Sequence, residues 1–247
     1  MRRTLEDLAR PLVPRSLRLW LLRLTRRPPV GRLDWGQLRR LQPVSRQWGG
    51  DRGLPVDRYY IEKFLASRAE DIRGRVLEVG DNLYTRRFGD DRVDRSDVVM
   101  APPGGPAATF LADFADAPEL PSGEFDCVIC TQTLQVVPDL PAAIATLHRI
   151  LKPAGVLLAT VPGISQLYED RAGPWQDCWR FMVPGCRWLL EQSFSPTAVD
   201  VRSYGNVLAA VALLEGLAAE ELTAEELDHN DPNYQLLLAL RASKAAP

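Results

Sequence analysis

Short apolar runs with sharp ends recur through the middle and C-terminal parts of the chain. In the first, Val76, Leu77 and Val79 stand between Gly74 and Gly80. A run of this length and composition is typical of a strand buried on both faces of a parallel sheet. Similar runs predict further strands at residues 92–99, 107–113, 156–161, 198–204 and 234–242, and at the start of residues 125–139.

Segments with helical spacing of apolar residues alternate with these runs. The clearest is 141–151, where Ile144, Leu147 and Ile150 share one side of a helix. Other helices are predicted at 56–69, 86–89 and 207–216. Alternation of strands and helices predicts an α/β fold, a Rossmann-like seven-stranded sheet that is mostly parallel and has helices on both faces. The last two strands are expected to form an antiparallel, hairpin-like pair.

The N-terminal segment has a different pattern. Apolar residues including Leu17, Trp20 and Leu24 recur at roughly helical spacing among many arginines, and Pro11 and Pro14 interrupt them. We therefore predict an arginine-rich helical extension at residues 1–48, with a proline-rich linker at 28–31, and a catalytic or binding domain at 49–247. The extension either makes a peripheral contact with an anionic membrane or a partner protein, or packs on its own domain with its arginines in solvent.

The composition limits the kinds of protein to which the chain can belong. The 247 residues are 46% hydrophobic and 25% charged, with a net charge of −2, as in ordinary globular proteins. No apolar run approaches the roughly 20 residues that cross a bilayer. Arginines interrupt residues 17–24, so that no signal-peptide core is formed. We expect a cytoplasmic protein with no nucleic-acid partner.

The cysteines and histidines do not suggest a metal site. Cys127 and Cys130 are three residues apart in a strand and so face opposite sides. Cys178 and Cys186 have no histidine at metal-binding spacing. We expect four reduced, structural cysteines, of which Cys130 could approach a ligand at the end of its strand, and no bound metal.

Three motifs resemble the class I S-adenosylmethionine-dependent methyltransferases: Val-Leu-Glu-Val-Gly at 76–80, the Phe-Asp-x-Val strand with its loop at 125–139, and Leu-Lys-Pro-Ala-Gly at 151–155. The chain departs from the family pattern at Asn82 and Tyr84, where glycines are usual, and at Val136, where a histidine is frequent. The resemblance implies S-adenosyl-L-methionine as the cofactor, and Asn82 is the non-glycine residue type best able to take a positive φ in its loop.

The resemblance also implies positions for cofactor-binding residues. Asp97, with Asp94 in reserve, matches the acid that accepts hydrogen bonds from the ribose hydroxyls, and Asp113 matches the acid for the adenine amino group. Tyr59 and Tyr60 belong to a segment that covers the cofactor in similar enzymes, although each equally suits a structural role. Glu78 either meets the ligand or caps its own loop. The complete expected set is Tyr59, Tyr60, Glu78, Gly80, Asn82, Thr85, Asp97, Asp113, Phe114, Thr131 and Gln132.

The region behind the fifth strand is expected to hold the acceptor. Residues 177–181 resemble an Asp-Tyr-Trp-Arg-Phe segment of these enzymes, and Trp175, Trp179 and Arg180 suggest a wall for a polar acceptor. The general-base candidates are Tyr168, Asp177 and His229. We predict methyl transfer to a small hydroxylated or amine-bearing acceptor, such as a sugar or natural-product intermediate. The alternatives are a non-catalytic scaffold on a degenerate methyltransferase fold and another reaction that consumes S-adenosylmethionine.

Overall fold

A seven-stranded sheet is the central element of the computed structural model, which describes residues 14–25, 28, 32–168 and 176–246. The strands are β1 Gly74–Val79, β2 Val93–Met100, β3 Phe110–Leu111, β4 Phe125–Thr131, β5 Leu151–Pro162, β6 Val199–Tyr204 and β7 Leu237–Ser243. The α-helices are α1 Arg15–Thr25, α2 Val56–Ser67, α3 Leu83–Phe88, α4 Leu140–Ile150, α5 Val183–Leu190, α6 Val207–Glu215 and α7 Ala224–Asp228.

The sheet order is β3-β2-β1-β4-β5-β7-β6. Strands β1 to β5 run parallel to their neighbours, and β7 pairs antiparallel with both β5 and β6. This is the Rossmann-like, mostly parallel sheet that the sequence predicted. Parallel strands bring their carboxyl ends to one edge, which is where open α/β sheets bind ligands.

Two apolar layers cover the two faces of the sheet. On one face, Ile144 and Leu147 of α4 and Leu190 of α5 pack with inward residues of the central strands. On the other face, Ile61 of α2 and Leu213 of α6 belong to the second buried cluster. Because both faces are covered, the buried residues of the central strands are mostly apolar, as the sequence pattern indicated, and Glu78 and Asp97 are exceptions.

Two predicted details of the sheet are wrong. The third strand, expected at 107–113, spans only Phe110–Leu111. The segment before it contains Pro102, Pro103 and Pro106, which cannot donate ladder hydrogen bonds. Strand β5, expected at 156–161, begins at Leu151 and so includes the motif at 151–155. The expected antiparallel pairing of the last two strands is confirmed, with α6 and α7 between them in sequence.

The chain divides into two compact units, Met1–Gln42 and Pro43–Pro247. Residues 43–48, which the sequence assigned to the extension, fall in the second unit, where the Ser45 N–H donates to the Glu215 carbonyl at 3.0 Å. In the first unit, α1 exposes Leu17, Trp20 and Leu21. None of the described helices combines the length and apolar character required to cross a bilayer. Residues 1–13, Trp175 and most of the predicted linker lie outside the described residues.

Candidate active site

A crevice of about 540 Å³ lies over the carboxyl ends of the parallel strands. One side is formed by the ends of β1 and β2 and by the segment after β3, and the other by loops that follow β4 and β5 together with residues before and at the start of α2. Its lining residues are Gln47, Trp48, Pro55, Asp57, Arg58, Val79, Val99, Met100, Ala101, Ala112, Asp113, Phe114, Gln132, Thr133, Gln135, Val136, Val137, Pro162, Ser165, Gln166, Tyr168, Asp177 and Arg180.

Glu78 binds its own loop rather than facing the crevice. Its buried carboxylate accepts hydrogen bonds from the backbone N–H groups of Tyr84 at 3.1 Å and Thr85 at 2.7 Å, and from the Thr85 hydroxyl at 2.7 Å. These N–H groups belong to the first turn of α3, which has no other intrahelical acceptor for them. Burial raises the pKa of Glu78, although the Thr85 and Tyr84 hydrogen bonds oppose the rise. Of the two roles considered for Glu78, the structure shows the capping role, and Thr85 shares it.

Gly80 provides the open turn after β1. It has φ +88°, and a Cβ placed on it would meet no atom within 4 Å. Asn82 has φ −125°, so the expectation of a positive φ at this residue is wrong. Its side chain instead donates to the Ser96 hydroxyl at 3.3 Å. Neither residue lines the crevice, but Gly80 directly follows Val79, which does, and the open space at Gly80 allows close approach to its backbone.

Asp97 does not lie at the carboxyl end of its strand. It pairs with Leu77 in the ladder, whereas the crevice begins two residues later, at Val79 and Val99. The side chain is 3% exposed, and Arg75 and Arg95 donate to its two oxygens at 2.7 and 3.1 Å. The prediction that Asp97 faces the ribose is therefore contradicted, and exposed Asp94 is still farther from the crevice.

Asp113 and Phe114 lie together on the crevice wall after β3. Asp113 Oδ1 accepts the Ala115 N–H at 3.0 Å, which fixes the carboxylate and leaves Oδ2 for another donor. Phe114 is 4% exposed and presents apolar surface beside it. The structure thus brings an acid and an aromatic ring together where the sequence placed an adenine site.

Two crevice residues other than glycine have backbone conformations that side chains rarely adopt. Trp48 has φ +55°, and Gln132, directly after β4, has φ +47°. Such conformations cost free energy and cluster at functional sites. Gln132 is held by its N–H to the Thr160 carbonyl at 2.9 Å. Thr131 ends β4 without lining the crevice.

The start of α2 contributes opposite charges. Asp57 and Arg58 both line the crevice, and Arg58 Nη1 donates to the Tyr84 hydroxyl at 2.9 Å. Burial raises the pKa of the Asp57 carboxyl, and the adjacent Arg58 opposes that rise. A carboxylate and a guanidinium side by side complement a zwitterionic ligand group.

Asp177 is an acid on the loop side of the crevice that is held by two hydrogen bonds. Its Oδ2 accepts from Arg180 Nη2 and from the Tyr168 N–H, both at 2.7 Å. Among the residues that the structure describes, its buried Oδ1 has no hydrogen-bond partner, and neither has Oε1 of the neighbouring Gln135. The Tyr168 ring lies 6.2 Å from that of Trp48. The loop side therefore combines aromatic surface with two unused acceptors, whose burial without partners is unfavourable.

Several predicted residues lie away from the crevice. The Tyr60 hydroxyl donates to the Leu227 carbonyl at 2.8 Å, and the Tyr59 hydroxyl to Asp228 at 2.6 Å, so both rings pack toward α7. His229 follows α7, and its carbonyl accepts from Asn206 at 2.8 Å. Trp179 is exposed and donates to the Val137 carbonyl. Of the two roles considered for these tyrosines, the structure shows the structural one, because both hydroxyls bond to residues of α7.

The described cysteines do not line the crevice. Cys127, Cys130 and Cys186 are buried free thiols, and Cys178 is exposed. Cys130 does not line the crevice, and burial raises its pKa to about 12, which makes it a poor nucleophile. Within the described parts of the chain, no three or more His, Cys, Asp or Glu side chains are grouped to hold a metal ion.

Comparison with known proteins identifies the family. Residues 56–198 match the family described as a methyltransferase domain. The chain belongs to this family of methyltransferases. The matched range includes the strands β1 to β5 and most of the crevice lining, and the resemblance to class I S-adenosylmethionine-dependent methyltransferases is confirmed.

The curated relatives are matched only in part. The 2-methyl-6-phytyl-1,4-hydroquinone methyltransferase of Synechocystis is 28% identical over 69% of this chain and 51% of its own length. The mitochondrial arginine-hydroxylase NDUFAF5 of Rattus norvegicus is 39% identical over 27% of this chain and 19% of its own. The chain thus spans about half or less of these relatives. A solved methyltransferase from Mesorhizobium loti is 19% identical, with TM-score 0.47, covering 76% of this chain and 98% of that one.

Proposed function

We propose that this methyltransferase binds S-adenosylmethionine in the crevice and transfers its methyl group to a small hydroxylated or amine-bearing acceptor. The observation that carries the proposal is the division of the crevice into two chemically different parts. The strand side has Asp113 and Phe114, with the open backbone of Gly80 directly after the lining residue Val79, and the loop side has the Trp48–Tyr168 pair and Asp177.

The strand side and the start of α2 suit most of the cofactor. Phe114 offers apolar surface to an adenine ring, and Asp113 Oδ2 can accept from its amino group. Arg58 and Asp57 can pair with the carboxylate and the ammonium of the methionine part. The open backbone at Gly80 allows close approach between these two ends. When bound, the cofactor supplies a methyl group that is already activated for displacement.

The loop side is suited to position the acceptor. The aromatic rings of Trp48 and Tyr168 offer a surface for its apolar part, and the unused oxygens of Asp177 and Gln135 can accept hydrogen bonds from hydroxyl or ammonium groups. Asp177 Oδ1 is also the atom that can take the proton lost by a hydroxyl acceptor, because Oδ2 is already held by Arg180 and Tyr168. Holding the acceptor in line with the methyl group supplies much of the rate.

Calorimetric titration with S-adenosylhomocysteine tests the cofactor half of the proposal. We expect a Kd of about 1–10 μM, or roughly −7 to −8 kcal/mol. Asp113→Asn should weaken binding about tenfold. Asp116→Asn, an exposed acid three residues away, is the matched control and should not. The absence of heat and of thermal stabilisation at millimolar ligand would contradict the proposal.

Methyl transfer itself is tested with methyl-labelled S-adenosylmethionine and a panel of sugars, phenols and primary amines, together with thiols and carboxylic acids that have neither a hydroxyl nor an amine acceptor. We expect one class of acceptor in the panel to gain the labelled methyl group. Transfer confined to a class without hydroxyl or amine groups would overturn the acceptor assignment.

A further inference from the structure

The end of β2 offers no carboxylate to the crevice. The strand ends at Met100, and both Met100 and Ala101 line the crevice. Residues 98–112 contain no Asp or Glu, so the next acid along the chain is Asp113. A thioether and a methyl group cannot replace a carboxylate, whose two oxygens can accept from two hydroxyls at once.

Asp97 cannot supply the carboxylate that Met100 and Ala101 lack, because it does not reach the crevice. It lies three residues before the end of the strand, which is about 10 Å in extended backbone. Its oxygens are already occupied by Arg75 and Arg95, and releasing them would leave Arg75, which is 17% exposed, without that partner. The other polar side chains of the crevice include the neutral amides of Gln47 and Gln132, and hydrogen bonds to neutral groups are weaker than those to a carboxylate.

We propose that this methyltransferase holds the ribose of its adenosyl ligand against Met100 and Ala101, without a carboxylate from the second strand. Affinity then comes from the adenine and amino-acid ends, and the site tolerates adenosyl ligands whose ribose hydroxyls are missing. This inference rests on the proposed function, because it concerns the same ligand in the same crevice.

Titration of the full chain with S-adenosylhomocysteine and with its 2′-deoxy and 3′-deoxy forms measures the contribution of each hydroxyl. We expect either deletion to weaken binding by less than about fivefold, since no charged acceptor is lost. A larger loss for either form would overturn the inference while leaving the proposed function intact.

A second experiment adds the missing acid. Ala101→Asp should tighten binding of S-adenosylhomocysteine and increase the penalty for a deoxy form above about fivefold. Met100→Asp, at the other residue in the proposed ribose site, is an independent variant, and Ala107→Asp, exposed and outside the crevice lining, controls for added charge. Circular dichroism verifies that each variant is folded.

The outcomes separate the two proposals. An unchanged deoxy penalty in both folded crevice variants would overturn the placement of the ribose beside Ala101. Failure of S-adenosylhomocysteine to bind the wild type and all three variants would overturn the proposed function, and this inference with it.

Discussion

Arg75 Nε donates to Asp97 Oδ2 at 2.7 Å inside the sheet, and the same guanidinium binds Glu124 at 2.9 Å and lies 4.8 Å from the centre of the Phe125 ring. The pair joins β1 to β2 near the end of the sheet opposite the crevice. Asp97 therefore acts in stability rather than in ligand recognition.

Asp97→Asn should lower the free energy of unfolding by about 3 kcal/mol, since breaking a buried pair leaves a cation without its partner. Urea denaturation measures this loss, and S-adenosylhomocysteine affinity should change less than about threefold in the folded variant. Exposed Asp94→Asn is the control, expected within about 0.5 kcal/mol of wild type. Weakened ligand binding with unchanged stability would instead identify Asp97 as a ligand-binding residue.

Glu78→Gln should lower the free energy of unfolding by about 2 kcal/mol at acidic pH, because the amide nitrogen that replaces one carboxyl oxygen cannot accept a hydrogen bond, whereas the hydroxyl oxygen of the protonated acid still can. The native pKa of Glu78 is raised by burial, so the native state holds this proton more tightly than the unfolded chain. The contribution of Glu78 is then complete below the unfolded pKa and is lost as the pH rises through the native pKa.

Urea denaturation of both proteins at several values from about pH 4 to pH 7 checks the direction. The advantage of wild type over Glu78→Gln should shrink as the pH rises. An advantage that grows with pH would mean that the three hydrogen bonds outweigh burial.

Gly80→Ala should weaken ligand binding at least about tenfold in a protein that still folds. The methyl group would extend into the open space next to the lining residue Val79, while the positive φ costs about 1 kcal/mol. Calorimetry with S-adenosylhomocysteine measures this loss, which is expected for a ligand that packs on this backbone. Gly123→Ala, also at positive φ with open space but not adjacent to a lining residue, is the matched control.

Asp177→Asn should reduce methyl transfer at least about tenfold while changing S-adenosylhomocysteine affinity less than threefold. It removes the charge that holds Arg180 and the oxygen that takes the acceptor proton. Steady-state rates and calorimetry on the same preparation separate the effects. Equal losses in both measurements would place Asp177 in the cofactor half of the crevice.

A truncated chain that begins at Pro43 should bind S-adenosylhomocysteine as the full chain does. One that begins at Gly49 should also bind it, but should transfer methyl groups about tenfold more slowly, because it lacks Trp48, whose ring lies beside Tyr168 on the acceptor side of the crevice. Circular dichroism, calorimetry and methyl-transfer rates on both proteins test this. Equal transfer rates for the two would support the domain boundary after Trp48 that the sequence suggested.

The sequence predicted the sheet well because the spacing of apolar residues and the glycines that end the apolar runs are local signals. The run ending at Gly80 and the motif at 125–139 each predicted a strand and the loop that follows it. Asp97 was misplaced because an apolar run does not show at which residue its strand ends, and β2 continues to Met100. The approach of Trp48 to Tyr168 joins residues 120 positions apart, a relationship that no local pattern contains.

The position of β7 has a consequence for synthesis. This strand lies between β5 and β6, both of which precede it in the chain. Until residues 237–243 leave the ribosome, the facing edges of β5 and β6 have no partner, and they could pair with other chains. The parallel strands β1 to β5 can assemble earlier, so the newly made protein is most prone to aggregation in the interval before its last strand is inserted.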